Sequence, residues 1–439
     1  MGHVGVMCPN TPGHVNAMLA LAEATRARGH RVTFFLLGQP PASIIAAGFE
    51  VVPLGGEVFP VDEYQAEFQK LGLLQDRAAL KHTLAIGARA ADAVLEVGPT
   101  VVDAASVTAL VVDQVSFPGG TVADQLGLPY ATVCNALLLN PDPAVPPYFT
   151  HWHPRDAWWA RIRNRIAWAG LNRLYAPIIT RIQNHRRRFG LKIPADISQV
   201  WSDKLQVSQQ PELFEFPRRE LPKQVRFVGP LHRSTGAHPV PFPWERLDGR
   251  PLIYASLGTL QNRIAGMFRV IAEACDGLDA QLVISTGNGI APEALGQLPG
   301  NPLVVSYAPQ LDLLRRAALA VTHAGLNTVL EALSTGLPLV AIPVTNDQPG
   351  IAARIAWIGA GEAIANKAVP CQTLRAAIIR VRSNPSYRVA AERVKKSILA
   401  GGGALRAAEL VEQHLGLGSP DHLPTEGSRF VVTNDTISA

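Results

Sequence analysis

Short apolar runs rich in β-branched residues alternate with helical runs along most of this 439-residue chain, and the alternation starts, stops and starts again. That double rhythm is the strongest constraint on the fold. A strand that is apolar throughout has no face it can give to water, so its sheet must be covered on both sides. Strands that each lead into a helix build a parallel sheet with helices on both faces.

The opening reads strand, glycine loop, helix: HVGVMC, the turn cluster PNTPGH, then VNAMLALAEATRARG with apolar residues at helical spacing and a closing glycine. RVTFFLL, the helix PASIIAAG and the strand FEVVPL follow, then a helical stretch from about Tyr64 to Val97. The strands ALVVD (Ala109 to Asp113) and PYATVC (Pro129 to Cys134) resume the pattern. Residues 141–200 read as irregular, aromatic and basic, and VRFVGPL closes the first half near Leu231. The stretch 232–250 is rich in proline and poor in periodicity, a linker by composition. From Pro251 the alternation restarts (LIYASLG, AQLVIST, PLVVSYA, LAVTHAG, PLVAIPV).

The expected organisation is therefore α/β, with two Rossmann-like doubly wound domains facing a cleft. The first is 1–231, the linker 232–250 and the second 251–401. A helix at 402–415 is expected to pack back toward the first domain, and 416–439 to form a flexible tail. Such sheets bind ligands at the carboxyl ends of their strands, so two of them suit a reaction between two substrates.

Composition narrows the class. No apolar run reaches the roughly 20 residues of a membrane-spanning helix, and no signal peptide is visible at the start. Four cysteines lie far apart without metal-ligand spacing, as expected of a reducing, cytoplasmic setting. The net charge of +5 is concentrated: ten Lys or Arg and one Asp lie between Arg155 and Lys192. No nucleic-acid module accompanies them.

The densest motif runs from Ser306 to Gln348, SYAPQLDLL…LAVTHAGLNTVLEALSTGLPLVAIPVTNDQ. A strand ends at His323, and the small-residue loop at Gly325 and Leu326 opens onto a helix. Such a loop offers backbone N–H groups and the positive end of a helix dipole to a diphosphate. His323, Asn327 and Thr328 add donors. Glu331 is placed to hold ribose hydroxyls, and Asp347 and Gln348 to hold sugar hydroxyls. Singly these residues read equally as caps and packing; their order over some forty residues is specific.

This segment resembles the signature of family 1 nucleotide-diphosphate-sugar glycosyltransferases, and THAGLNTVLEAL…NDQPGIAARI looks most like bacterial carotenoid (zeaxanthin-type) glucosyltransferases. The resemblance covers both halves and is tighter in the second. It implies the GT-B fold and a UDP-sugar donor. Tyr307 would stack on the base where the family usually has Trp, with the backbone of Ala308 reading the base and Gln310 beside it. His323, Asn327 and Thr328 would meet phosphates, Glu331 the ribose, and Asp347 and Gln348 the hexose, glucose in preference. Ser256, Gly258 and Thr259 in ASLGT match a second phosphate-facing loop. Leu326 stands where plant members carry another Trp.

In the first half, PNTPGH resembles the family's Gly-His motif, which makes His14 the general base and Asp113, in VVDQ, its orienting carboxylate. An imidazole with a pKa near ~6.5 is suited to deprotonating an alcohol at neutral pH. A plain helix-start cap is the alternative for His14. The sequence holds no Asp-x-Asp, so no metal and no other cofactor is expected.

Residues 146–192 contain four of the seven tryptophans, interleaved with arginines. The segment reads as acceptor lining, as a solvated amphipathic helix pair, or as a peripheral contact with an anionic bilayer at the inner membrane face. The expected activity is inverting transfer of a hexose from UDP-sugar to a hydroxyl of a small lipophilic acceptor, such as a terpenoid, carotenoid, flavonoid or other phenol. A sugar-nucleotide 2-epimerase is the alternative on the same fold.

Overall fold

A computed structural model describes residues 1–74, 76–233, 240–258, 265–364 and 369–418. Two wholly parallel sheets organise them. The first holds β1 (His3–Met7), β2 (Arg31–Leu36), β3 (Glu50–Pro53), β4 (Ala109–Asp113), β5 (Tyr130–Cys134), β6 (Gln206–Ser208) and β7 (Val225–Phe227). Their order is β3-β2-β1-β4-β5-β6-β7. The second holds β8 (Leu252–Ser256), β9 (Gln281–Ser285), β10 (Leu303–Val305), β11 (Ala317–Thr322), β12 (Leu339–Ala341) and β13 (Gly361–Ala363), ordered β10-β9-β8-β11-β12-β13.

Both orders reverse direction beside the first strand of the sheet. The loops after β1 and β4, and those after β8 and β11, therefore open the crevice where doubly wound sheets take ligands. Every residue of β1, β4 and β8 is buried, which is why these segments read as continuous apolar runs.

The helix Pro12–Ala27 follows β1, with Pro12 in its first turn where a missing N–H costs nothing. The stretch expected to be helical from Tyr64 to Val97 is two helices, Val61–Leu71 and Asp76–Ala104. Residues 141–200 differ more from expectation. They contain one 31-residue helix, Trp158–Arg188, with Pro177 inside it. Proline removes one donor and crowds the preceding turn, yet a buried stripe (Trp168, Leu171, Tyr175, Ile178, Ile182) fastens the helix to the core on both sides of Pro177.

The chain crosses between the two sheets more than once. After the helix Pro385–Gly401, the helix Gly403–Leu415 packs against Pro12–Ala27, and its Ala407, Leu410, Val411 and Leu415 join the cluster around β1 and β2. Gly416 ends it in a left-handed conformation, and Leu417 is buried in the same cluster. The rest of the expected tail, 419–439, lies outside the described residues, as do 234–239 of the expected linker. Beyond them, Trp244 is not loose: Arg316 lies 4.6 Å over its ring.

Candidate active site

β1 and β4 are neighbours, with Met7 opposite Val112. The residues that follow them therefore meet at one edge. His14, in the first turn of Pro12–Ala27, reaches Asp113, the last residue of β4, with Nδ1 2.6 Å from Oδ2. The Asp113 side chain is fully buried. It accepts two further hydrogen bonds, from Asn135 Nδ2 at 2.7 Å and from the Val115 backbone N–H at 3.0 Å. A carboxylate so surrounded holds the His14 proton on Nδ1, leaving Nε2 as the basic nitrogen. Burial alone would lower the His14 pKa; the Asp113 charge and hydrogen bond, helped by the Asp347 charge, raise it above its ordinary value.

Across the cleft, His323 follows β11, and its ring lies between two glycines. A Cβ on Gly258 would stand 2.5 Å from the ring, and one on Gly325 also 2.5 Å. Burial drives the His323 pKa down to about 4, opposed only by the Ser256 backbone, so the ring is neutral at pH 7. Gly325 caps the helix Leu326–Ser334, and among the described residues no side chain caps its first N–H groups. Ala324 has φ +66°, a left-handed conformation that costs a residue with a Cβ about 1–3 kcal/mol. Asn346, beside Asp347 in the loop after β12, has φ +55°. Two of the loops that face the cleft, those after β11 and β12, thus each hold a residue with a side chain in the left-handed region.

Glu331 lies farther along the same helix. Burial raises its pKa to about 7, opposed by a hydrogen bond from Gln310 Nε2, whose own Oε1 accepts from Tyr254 OH at 2.9 Å. Tyr307 is 45% exposed at the cleft, with its ring open to stacking, whereas Ala308 and Leu326 are buried. Burial also raises the Asp347 pKa, against hydrogen bonds from its own backbone and that of Leu137 and the charges of His14 and Arg354. Gln348 Oε1 accepts from the Val344 and Thr345 N–H groups at 2.8 and 3.0 Å, so that oxygen shapes the loop. Ser256 Oγ accepts from the Gly258 N–H at 3.3 Å. Thr259 lies outside the described residues.

One cavity of about 1110 Å³ collects these side chains: His14, Tyr307, His323, Glu331 and Asp347 all line it. It continues into an apolar lobe of the first half, walled by residues such as Phe35, Leu84, Ile86, Phe117 and Ile178. Among the described residues, no group of three or more His, Cys, Asp or Glu side chains is arranged to hold a metal ion. Likewise no helix is long and apolar enough to cross a membrane.

Two residues essential to this geometry escape the sequence reading. Asn135 holds Asp113. Gln209 Nε2 bridges the halves, donating to the Asn135 carbonyl at 2.6 Å and to Asn327 Oδ1 at 2.9 Å. Asn327 Nδ2 in turn donates to the Gly13 carbonyl, also at 2.9 Å. The Asn327 amide therefore meets the first half at two points, Gln209 through its oxygen and the turn that carries His14 through its nitrogen. Asn135 and Gln209 each follow directly on a strand, β5 and β6, and that position is the signal by which they could have been found.

Residues 91–397 match the family described as UDP-glucoronosyl and UDP-glucosyl transferase. The zeaxanthin glucosyltransferase of Pseudescherichia vulneris is 32% identical over 94% of this chain and 98% of its own length. That of Pantoea ananas is 29% identical over 96% of this chain and 97% of its own length. Among solved structures, the calicheamicin glycosyltransferase CalG4 superposes with a TM-score of 0.72 at 23% identity, covering 96% of this chain and all of its own.

Proposed function

The chain belongs to the UDP-glucoronosyl and UDP-glucosyl transferase family, enzymes with the GT-B fold that move a sugar from a nucleotide-sugar, and from that premise we propose the acceptor class and the mechanism. The reaction is transfer of a hexose, glucose first, from UDP-sugar to a hydroxyl of a small lipophilic acceptor, with inversion at C1 and without a metal. The observation that carries it is the 2.6 Å contact between the buried Asp113 and His14, which lines a cavity shared with the start of the helix Leu326–Ser334.

The acceptor hydroxyl donates to His14 Nε2. As its oxygen attacks C1, the proton passes to the imidazole, and the bond from C1 to the diphosphate oxygen breaks with its electron pair. Asp113 stabilises the imidazolium, and the helix start with the neutral His323 receives the charge on the departing diphosphate. Tyr307 stacks on the base, the Ala308 backbone reads it, Glu331 holds the ribose, and Asp347 with Gln348 holds the hexose. The apolar lobe supports the reading of a lipophilic acceptor, and the likeness to zeaxanthin glucosyltransferases supports trying carotenoids and other hydroxylated terpenoids first.

A screen of UDP- and TDP-sugars against terpenoid, carotenoid and phenolic alcohols, repeated with EDTA, tests this reading, with the anomeric configuration of the product read by NMR. Expected is a β-glucoside from an α-linked donor, at a rate EDTA leaves unchanged. Retention of configuration, or conversion of the donor sugar with no acceptor present, would overturn it.

A further inference from the structure

The helix Trp158–Arg188 carries apolar side chains on two opposite faces. One is the buried stripe already described. The other faces solvent: Trp158 is 73% exposed, Ile162 47% and Ile166 68%. Four-residue spacing puts these three on one line along the helix. Trp159 and, from the preceding loop, Trp152 lie beside it, both exposed. Arg163 is stacked over Trp152 at 4.2 Å and stands 5.5 Å from the Trp159 ring centre. The arginines keep their charges at the edge of the aromatic surface, as they do at a bilayer interface.

Charge selects the partner. From Trp152 to Leu174 there are five arginines (Arg155, Arg161, Arg163, Arg165, Arg173) and one acid. That acid, Asp156, is bonded to Arg161 and to Arg219. A second copy docked face to face would bring the two sets of arginines together, because a two-fold contact pairs a patch with itself. An apolar line rimmed by cations instead matches the apolar and anionic layers of a phospholipid surface.

We propose that this face docks the enzyme on an anionic phospholipid bilayer, with Trp158, Ile162 and Ile166 at headgroup depth and the arginines among the phosphates. Nine residues beyond Ile166, Tyr175 of the same helix lines the cavity, which places the contact roughly 14 Å along the helix from the cavity wall. Resting on the proposed lipophilic acceptor, that proximity shortens the transfer of a bilayer-dissolved substrate into the apolar lobe. The docking itself does not depend on the acceptor.

Cosedimentation of the full chain with vesicles of phosphatidylcholine containing a quarter phosphatidylglycerol, at 50 and 500 mM NaCl, is the test. Expected is binding at low salt that falls at least tenfold at high salt and is at least tenfold weaker to phosphatidylcholine alone. The variants Trp158→Ser/Ile166→Ser and Arg165→Glu/Arg173→Glu, checked for an unchanged melting temperature, should each bind at least tenfold more weakly, since one cation near such a surface is worth roughly fivefold. Wild type remaining in the supernatant would overturn the proposal. So would variants that sediment like wild type, or a dimer in sedimentation equilibrium that the Trp158→Ser/Ile166→Ser variant dissociates.

Discussion

Asparagine at position 113 keeps the shape of the aspartate but not its acceptors. Asp113 now receives three donors: His14 Nδ1 and Asn135 Nδ2 on one oxygen, the Val115 N–H on the other. An amide offers one oxygen and one NH2. If the oxygen faces Val115, the NH2 meets His14 and forces its proton onto Nε2, the atom the proposed mechanism uses as the base. If the oxygen faces His14, the NH2 opposes the Val115 N–H, a buried mismatch costing about 1–3 kcal/mol. Loss of the correct tautomer costs on the order of 10⁴ in the analogous carboxylate-to-amide change in a serine protease triad. We therefore expect Asp113→Asn to lower kcat by roughly 10³–10⁴, about 4–5.5 kcal/mol at the barrier, with donor affinity by calorimetry unchanged. Initial rates of nucleotide release across pH add a second readout. Because Asp113 and Asp347 hold the His14 pKa above its ordinary value against burial, wild-type activity should rise through an acid limb above pH ~6.5. The same shift stabilises the fold fully below that pH and is lost as pH rises through the raised pKa, so activity and this share of stability move in opposite directions. In the variant, the limb should move to lower pH. A variant within tenfold of wild type, or an unmoved limb, would refute the reasoning.

Three other outcomes follow from the same geometry. Gly325→Ala puts a Cβ 2.5 Å from His323 on a backbone that alanine itself tolerates, so urea titration should show an overpacking loss of about 1–3 kcal/mol, and the displaced ring should raise the donor KM tenfold or more. Glu331→Gln removes a carboxyl whose pKa is raised to about 7; that shift stabilises the protein below pH ~4.5 and is lost by pH 8, so thermal melts at pH 5 and 8 should differ less in the variant, by an amount on the order of 3 kcal/mol. Arg354→Met leaves the buried Glu215 without its closest cation, with Arg218 3.7 Å away, and urea titration should show a loss of about 3–5 kcal/mol.

The two sheets were legible because parallel strands buried on both faces leave an unbroken apolar signature, and β1, β4, β8 and β11 all carry it. The pairing of His14 with Asp113 was an expectation of the family resemblance, and its physical basis is that Asp113 ends β4 while His14 opens the helix after the neighbouring β1. The helix Trp158–Arg188 was not. Its inward residues recur every three or four positions, from Ala160 through Asn164, Trp168, Leu171, Tyr175 and Ile178 to Ile182, but Trp158, Ile162 and Ile166 fill the outward face and blur the period. Gln209 lies beyond such reasoning in another way. Its partners, Asn135 and Asn327, come from different sheets, and only their docking gives the side chain its purpose.

Because the helix Gly403–Leu415 completes the core around β1 and β2, the polypeptide cannot be divided into its two sheets by a single cut. Hybrid enzymes that exchange second halves with a relative therefore need two junctions, one in the stretch before Leu252 and one near Gly402. A hybrid joined only once would set a foreign helix against Pro12–Ala27, and its failure would report on that seam instead of on sugar selectivity.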